Sequence, residues 1–177
     1  MKKIKIFDLK DQYINIAGEV NKNVTEILHS GQYILGKNVK TLEEKFAKHV
    51  GAKYAISCNS GTDALLLSLR AMNIGKGDEV ITTPFTYFAT AEVIALTGAK
   101  PIFVDINPHT FNINHKLIEK KISRKTKAVI PVHLYGQSCE IYKIKKVCKE
   151  YKIVLIEDCA QSFGAKYHNK FTGTIGD

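Results

Sequence analysis

The sequence predicts an α/β/α sandwich: a mostly parallel sheet with helices on both faces. Three observations carry this. From Lys53 onward, short apolar runs alternate with helical stretches of about 10 to 15 residues, the pattern of βαβ units. The runs are short and apolar, which suits strands buried on both sides. The 177 residues, 45% hydrophobic and 24% charged, suffice for one domain with a substantial core.

Before Lys53 the reading is helical. Ile16, Val20, Val24, Ile27 and Leu28 recur at helical spacing within residues 12–29, and Gly31 follows as a stop. Val39, Leu42, Phe46 and Val50 mark a second amphipathic helix closed by Gly51, and the loop SGQYILG (30–36) lies between the two. Residues 1–50 are thus read as an N-terminal helical arm and 51–177 as the α/β part. There the expected strands are YAISC, EVITT, PIFVD, AVIPVHL and IVLIED. The helices between them are GTDALLLSLRAM, TYFATAEVIALTG, NHKLIEKKI and EIYKIKKVCKEY. A final YHNKF suits a small hairpin, since Asn169 tolerates the left-handed turn conformation. Repeats, low-complexity tracts and linkers are absent.

Composition excludes several classes. No run approaches the roughly 20 apolar residues of a membrane helix, and the start MKKIKIFDLKDQY turns polar too soon for a signal peptide, so a cytoplasmic location is expected. Cys58, Cys139, Cys148 and Cys159 show no CxxC spacing and no histidine at ligand spacing, against a disulfide framework or a metal site. They read as small buried side chains, with the reactivity of Cys159 left open. The net charge of +9 invites nucleic acid, but the lysines are scattered, arginines number two and no aromatic-and-basic stripe is visible. Solvated helix faces explain them, while the positive field favours anionic small molecules.

In an open parallel sheet, ligands collect beyond the carboxyl ends of the strands. After YAISC, Ser60 suits an N-cap with Asp63 as in a capping box, and Gly61 lets a ligand approach amides at the positive end of the helix. That outlines a phosphate site beside the plainer reading of a well-capped helix. Neither GxGxxG nor GxxxxGK[ST] occurs, which disfavours dinucleotides and triphosphates. After EVITT, Thr86 is a candidate cap, and one of Phe85, Tyr87 and Phe88 can stack on a flat ligand; Phe85 and Phe88 are expected in the core. His133 ends the AVIPV strand with a ring able to meet a ligand oxygen. In VLIEDCAQSFGA (154–165), Asp158 puts a carboxylate at a strand end, where it calls for a cation. A planar ligand with a phosphate at one end and a protonated ring nitrogen at the other answers the row, and pyridoxal 5′-phosphate fits that description.

These residues resemble the DegT/StrS-type sugar aminotransferases, pyridoxal-phosphate enzymes of the aspartate-aminotransferase fold (fold type I) that act on nucleotide-linked keto sugars. SGQYILG, GAKYAISCNSGTDAL, GKGDEVITTPFTYFATAEVI, GAKPIFVDINPHTFNI, TKAVIPVHLYGQ and VLIEDCAQSFGA are similar to family blocks, in order and nearly end to end. The resemblance implies that Gly61 and Thr62 cradle the phosphate, Tyr87 stacks on the ring, Asp158 meets the pyridine nitrogen and Gln161 the ring hydroxyl. It implies that His133 lies nearby and that Tyr33 faces the sugar. GQYILG with GAKYAISC looks closest to members that aminate a UDP-linked 3-keto sugar acid.

The implied reaction moves an amino group from an amino acid, usually glutamate, to a nucleotide-sugar ketone, in a homodimer and commonly for surface polysaccharide or glycoconjugate synthesis. The family's Schiff-base lysine follows a GD-x-x-x-F-S-F stretch, so it is expected beyond Asp177, together with the rest of the large domain and the small C-terminal domain. A fragment or truncation, poorly soluble or dependent on a partner, is the corresponding expectation. Two alternatives stay open: a dehydratase of the same family, in which histidine replaces that lysine, and a non-catalytic remnant.

Overall fold

The computed structural model describes residues 5–177. The chain divides into two compact units, Met1–Glu44 and Lys45–Asp177. In the first unit, α1 (Lys10–Ser30) starts where the Asp8 carboxylate accepts from the Lys10 amide at 3.0 Å. It stops at Gly31, whose φ of 66° suits a residue without Cβ. The apolar stripe read from the sequence stays open on α1, with Ile16, Val24 and Leu28 exposed. Helix α2 (Lys37–Val50) begins in this unit and ends in the second, closed by Gly51 in the left-handed region.

The second unit is built on four parallel strands in the order β2-β1-β3-β4. Strand β1 (Glu79–Thr82) pairs with β2 (Lys100–Phe103) on one side and β3 (Thr126–Val129) on the other, and β3 pairs with β4 (Val154–Leu155). Alternate side chains of each strand enter opposite layers. Val80 and Ala128 pack with Leu69 of α3 (Gly61–Ala71) and Val93 and Ile94 of α4 (Ala89–Leu96). Ile81, Val129 and Leu155 pack on the other face with Ile118 of α5 (His115–Ile118) and Ile141, Ile144 and Cys148 of α6 (Ile141–Tyr151). Each fully buried aliphatic side chain contributes about 1.5–3 kcal/mol to this sandwich. A hairpin of β5 (Lys166–Tyr167) and β6 (Lys170–Phe171) turns through His168 and Asn169, both at positive φ.

Three elements depart from the sequence reading. YAISC forms no strand: no sheet pairing runs along residues 54–58, and Tyr54 and Ile56 are 72% and 88% exposed. A strand exists only as one of a pair, and its own apolar pattern does not reveal whether a neighbour lies beside it. NHKLIEKKI makes one turn of α-helix that tightens into a 3₁₀ turn, Glu119–Lys121. AVIPVHL ends its regular ladder at Val129 because Pro131 has no N–H. Pairing resumes beyond it at an isolated parallel bridge between Val132 and Asp158, where the Asp158 amide donates to the Pro131 carbonyl at 3.0 Å.

Candidate active site

Strands β1 and β3 are neighbours whose connections leave on opposite faces: α4 leads from β1 to β2 on one side, and α6 leads from β3 to β4 on the other. This is a topological switch point, where the loops diverge and a crevice opens. A cavity of about 400 Å³ occupies it, lined by the N-terminus of α3, the segment from Thr86 to Thr90, Val132 and residues 157–161. Its size falls within the range of small-ligand sites.

Ser60 caps α3: its hydroxyl oxygen accepts from the Asp63 amide at 3.1 Å, and its carbonyl accepts from the Ala64 amide at 3.0 Å. The Asp63 carboxylate accepts in return from the Ser60 hydroxyl and from the Asn59 side-chain amide, a variant of the predicted capping box. The helix geometry leaves the first amides, those of Gly61 and Thr62, without an acceptor inside the helix, and both residues line the cavity. A Cβ on Gly61 would meet nothing within 4 Å, so the space above this helix end is open.

Asp158, 8% exposed, lines the same cavity. Its Oδ2 accepts from the Thr90 hydroxyl at 2.9 Å and its Oδ1 from the Ala160 amide at 3.2 Å. One turn further on, the Gln161 side-chain oxygen accepts from the Tyr135 amide at 2.9 Å. That bond fixes the orientation of the side-chain amide, so its NH₂ group remains to donate to an oxygen in the cavity. Tyr87 lines the same space and is 77% exposed.

Gly61, Thr62, Tyr87, Asp158 and Gln161 therefore surround one cavity. His133 does not join them. Its ring is fully buried, Nδ1 accepts from the Cys139 amide at 2.9 Å, and Nε2 lies 2.9 Å from Glu157 Oε2. An amide can only donate, so Nδ1 carries the lone pair and the neutral ring presents Nε2–H to the carboxylate. Tyr33 belongs to the first unit, where its hydroxyl donates to the Leu28 carbonyl at 3.3 Å. Thr86 caps no helix, since α4 starts at Ala89 without a side-chain cap. Phe85 and Phe88, expected in the core, are 42% and 70% exposed, because the loop carries them to the mouth of the sheet.

The demand for a partner at the end of β4 falls most heavily on Glu157, one residue before Asp158. Its side chain is 2% exposed, and its two oxygens accept from His133 and from the amides of Gly173, Ile175 and Gly176 at 2.6–3.1 Å. Burial pushes this carboxyl up, but the four hydrogen bonds outweigh it and hold the group below its ordinary value. Donors of the His133, Glu157 and Cys159 side chains lie within 4.8 Å of one another. The histidine has no lone pair left for a metal, and burial together with the Glu157 charge pushes the Cys159 thiol up to about 12.

Thr90, the Ala160 amide and the Tyr135 amide were not legible beforehand. The one signal for Thr90 was its place a helical turn after Tyr87 at the start of an apolar helix.

The fold is that of the fold-type-I, pyridoxal-phosphate-dependent sugar aminotransferases, with a carboxylate and a helix N-terminus lining one cavity at the switch point of the sheet. The chain belongs to the DegT/DnrJ/EryC1/StrS aminotransferase family, which it matches over residues 15–177. It is 50% identical over 167 residues to UDP-2-acetamido-2-deoxy-3-oxo-D-glucuronate aminotransferase of Pseudomonas aeruginosa, an alignment covering 94% of this chain and 46% of that protein. The structure of S. venezuelae DesV in complex with a ketimine intermediate superposes with a TM-score of 0.96 at 34% identity, over 98% of this chain and 47% of that one. The PLP form of a putative sugar aminotransferase from Streptococcus pneumoniae gives a TM-score of 0.81 at 32% identity, over 87% and 44%. The chain spans about half the length of the curated relatives it matches.

The residues present fit pyridoxal phosphate. The cavity lining offers the Asp158 carboxylate as an acceptor for a cationic N–H, the Gln161 NH₂ as a donor, and the first amides of α3 for an anion, the three kinds of group such a ligand calls for.

Proposed function

We propose that this chain forms the cofactor-binding face of an enzyme that transfers an amino group from an amino acid, glutamate in the first instance, to a nucleotide-linked keto sugar. The observation that carries the reading is Asp158, a nearly buried carboxylate that lines the same cavity as the open N-terminus of α3. Its carboxylate would accept from the pyridine nitrogen of the cofactor, and the Gln161 NH₂ would donate to the neighbouring ring oxygen. The amides of Gly61 and Thr62, at the positive end of the α3 dipole, would hold the phosphate. Tyr87 would cover the ring and keep water from that side. His133 has no direct contact in this scheme; it holds the neighbouring Glu157. When bound, pyridoxal phosphate supplies an electron sink for the carbanion that amino transfer requires. We assign none of the proton transfers to a lysine of this chain.

The curated relative from Pseudomonas aeruginosa is named for a UDP-linked 3-oxo sugar acid, and half of the aligned residues are identical, so a substrate of that class is the first to test. A homodimeric, cytoplasmic enzyme belongs to the same proposal. No helix among the described residues is long and apolar enough to cross a membrane.

The test combines binding and turnover. Asp158→Asn should weaken pyridoxamine phosphate binding at least tenfold, read from the cofactor's own fluorescence, since it replaces a charge-assisted bond by a neutral one. The intact enzyme that carries this chain, given pyridoxal phosphate, glutamate and UDP-2-acetamido-2-deoxy-3-oxo-D-glucuronate, should release 2-oxoglutarate. Unchanged affinity in Asp158→Asn would overturn the assignment of the site; release of 2-oxoglutarate with no aminated sugar would overturn the acceptor.

A further inference from the structure

We propose that Thr90 is a positioning residue for the cofactor: its hydroxyl fixes the carboxylate of Asp158 in the plane from which that group meets the ring nitrogen. The inference rests on the reading of Asp158 given above and extends it to a residue on a different element.

Thr90 is 1% exposed, lies in the first turn of α4, and donates to Asp158 Oδ2 at 2.9 Å across 68 residues of chain. The Thr90 amide is already used, donating to the Tyr87 carbonyl at 3.4 Å. The hydroxyl is therefore the group of this residue that faces the acid. An aspartate side chain turns about χ1 and χ2, and the second of these is broad. One partner, the Ala160 amide on Oδ1, limits that rotation only from the backbone side. The second partner, on Oδ2, closes the other direction, so the carboxylate plane is set by donors from two elements. Each oxygen keeps a further lone pair for a ligand.

Helix α4 also carries the segment that presents Tyr87, three residues before Thr90, and both residues line the cavity. One helix start thus sets the face of the site through an aromatic ring and its polar end through a hydroxyl. A hydroxyl placed only for packing would have no need of a carboxylate at hydrogen-bond distance. A serine or threonine within a helix commonly satisfies itself on the carbonyl one turn back, as the half-buried Ser68 does on Ala64 at 2.8 Å.

The experiment measures binding of pyridoxamine 5′-phosphate, and of its analogue with carbon in place of the ring nitrogen, by the purified protein. Thr90→Val keeps the shape and removes the donor; Thr90→Ser keeps the donor and removes the methyl. Thr90→Val should weaken pyridoxamine phosphate about tenfold, Thr90→Ser should stay within about twofold of wild type, and the carbon analogue should lose less than about twofold in either variant. Thr90→Ala carries the same test should the valine variant not fold.

Three results would overturn the proposal while leaving the site assignment standing, provided Asp158→Asn still loses affinity. The first is Thr90→Val binding like wild type, the second is Thr90→Ser failing as badly as Thr90→Val, and the third is the carbon analogue losing as much as pyridoxamine phosphate. If Asp158→Asn binds like wild type, the reading of Asp158 falls and this proposal with it.

Discussion

Replacing Glu157 by glutamine preserves its shape and deletes one of its two acceptor oxygens. The side chain is 2% exposed and takes four N–H donors: Ile175 and Gly176 on Oε1 at 2.8 and 2.6 Å, His133 and Gly173 on Oε2 at 2.9 and 3.1 Å. Whichever way the new amide is turned, its NH₂ faces two of those donors. His133 cannot relieve the conflict by changing tautomer, because Nδ1 is held by the Cys139 amide. Two charge-assisted bonds are lost at about 1.5–3 kcal/mol each, so a loss of about 3–6 kcal/mol is expected at pH 7.

For a chain of this length that corresponds to a fall of roughly 10 °C in Tm. The pH dependence supplies the sharper test. The folded carboxyl titrates below its ordinary value, so its contribution is fully present above the unfolded value, about 4.3, and is lost as pH falls through the folded one. Urea unfolding followed by far-UV circular dichroism should show the gap between wild type and Glu157→Gln constant from pH 7 to about pH 5, then closing. A gap below about 1 kcal/mol at pH 7, or one that does not change down to pH 3, would refute the account of this network.

Two further outcomes are expected. Gly176→Ala places a Cβ 2.6 Å from the Leu155 carbonyl oxygen and should destabilise by about 1–3 kcal/mol, whereas Gly18→Ala, mid-helix in α1 with nothing within 4 Å, should stabilise by up to about 1 kcal/mol. Thermal melts of the two variants should shift in opposite directions. Iodoacetamide at pH 8 should modify exposed Cys58 and leave Cys139, Cys148 and Cys159 unmodified by mass spectrometry, because burial pushes those three thiols up to about 12.

The helices and four of the five predicted strands were legible because burial writes a period into sequence. Val93 and Ile94, or Ile141, Ile144 and Cys148, can be assigned to a core without knowing which core. Pairing leaves no such mark, which is why YAISC reads like EVITT although only EVITT joins the sheet. The cavity was legible at Gly61, Thr62, Tyr87, Asp158 and Gln161 because strand ends and helix starts are local features. The partners of Asp158 and Glu157 were not, since the hydroxyl of Thr90 and the amides of Gly173 to Gly176 reach them through the fold. A backbone amide leaves no trace in the one-letter code. The sequence posed the question of a buried charge at Asp158, and the heavier burden lay on the residue before it.

Glu157 and Asp158 are consecutive, and the peptide between them serves both. One side chain is clamped to the turn at 173–176 and the other faces the cavity. Adjacent carboxylates on one strand end thus take different duties, one tied into the fold and the other into the cavity wall. The glycine-rich turn does not line the cavity, yet its amides hold Glu157, which does, so the turn reaches the site through one carboxylate.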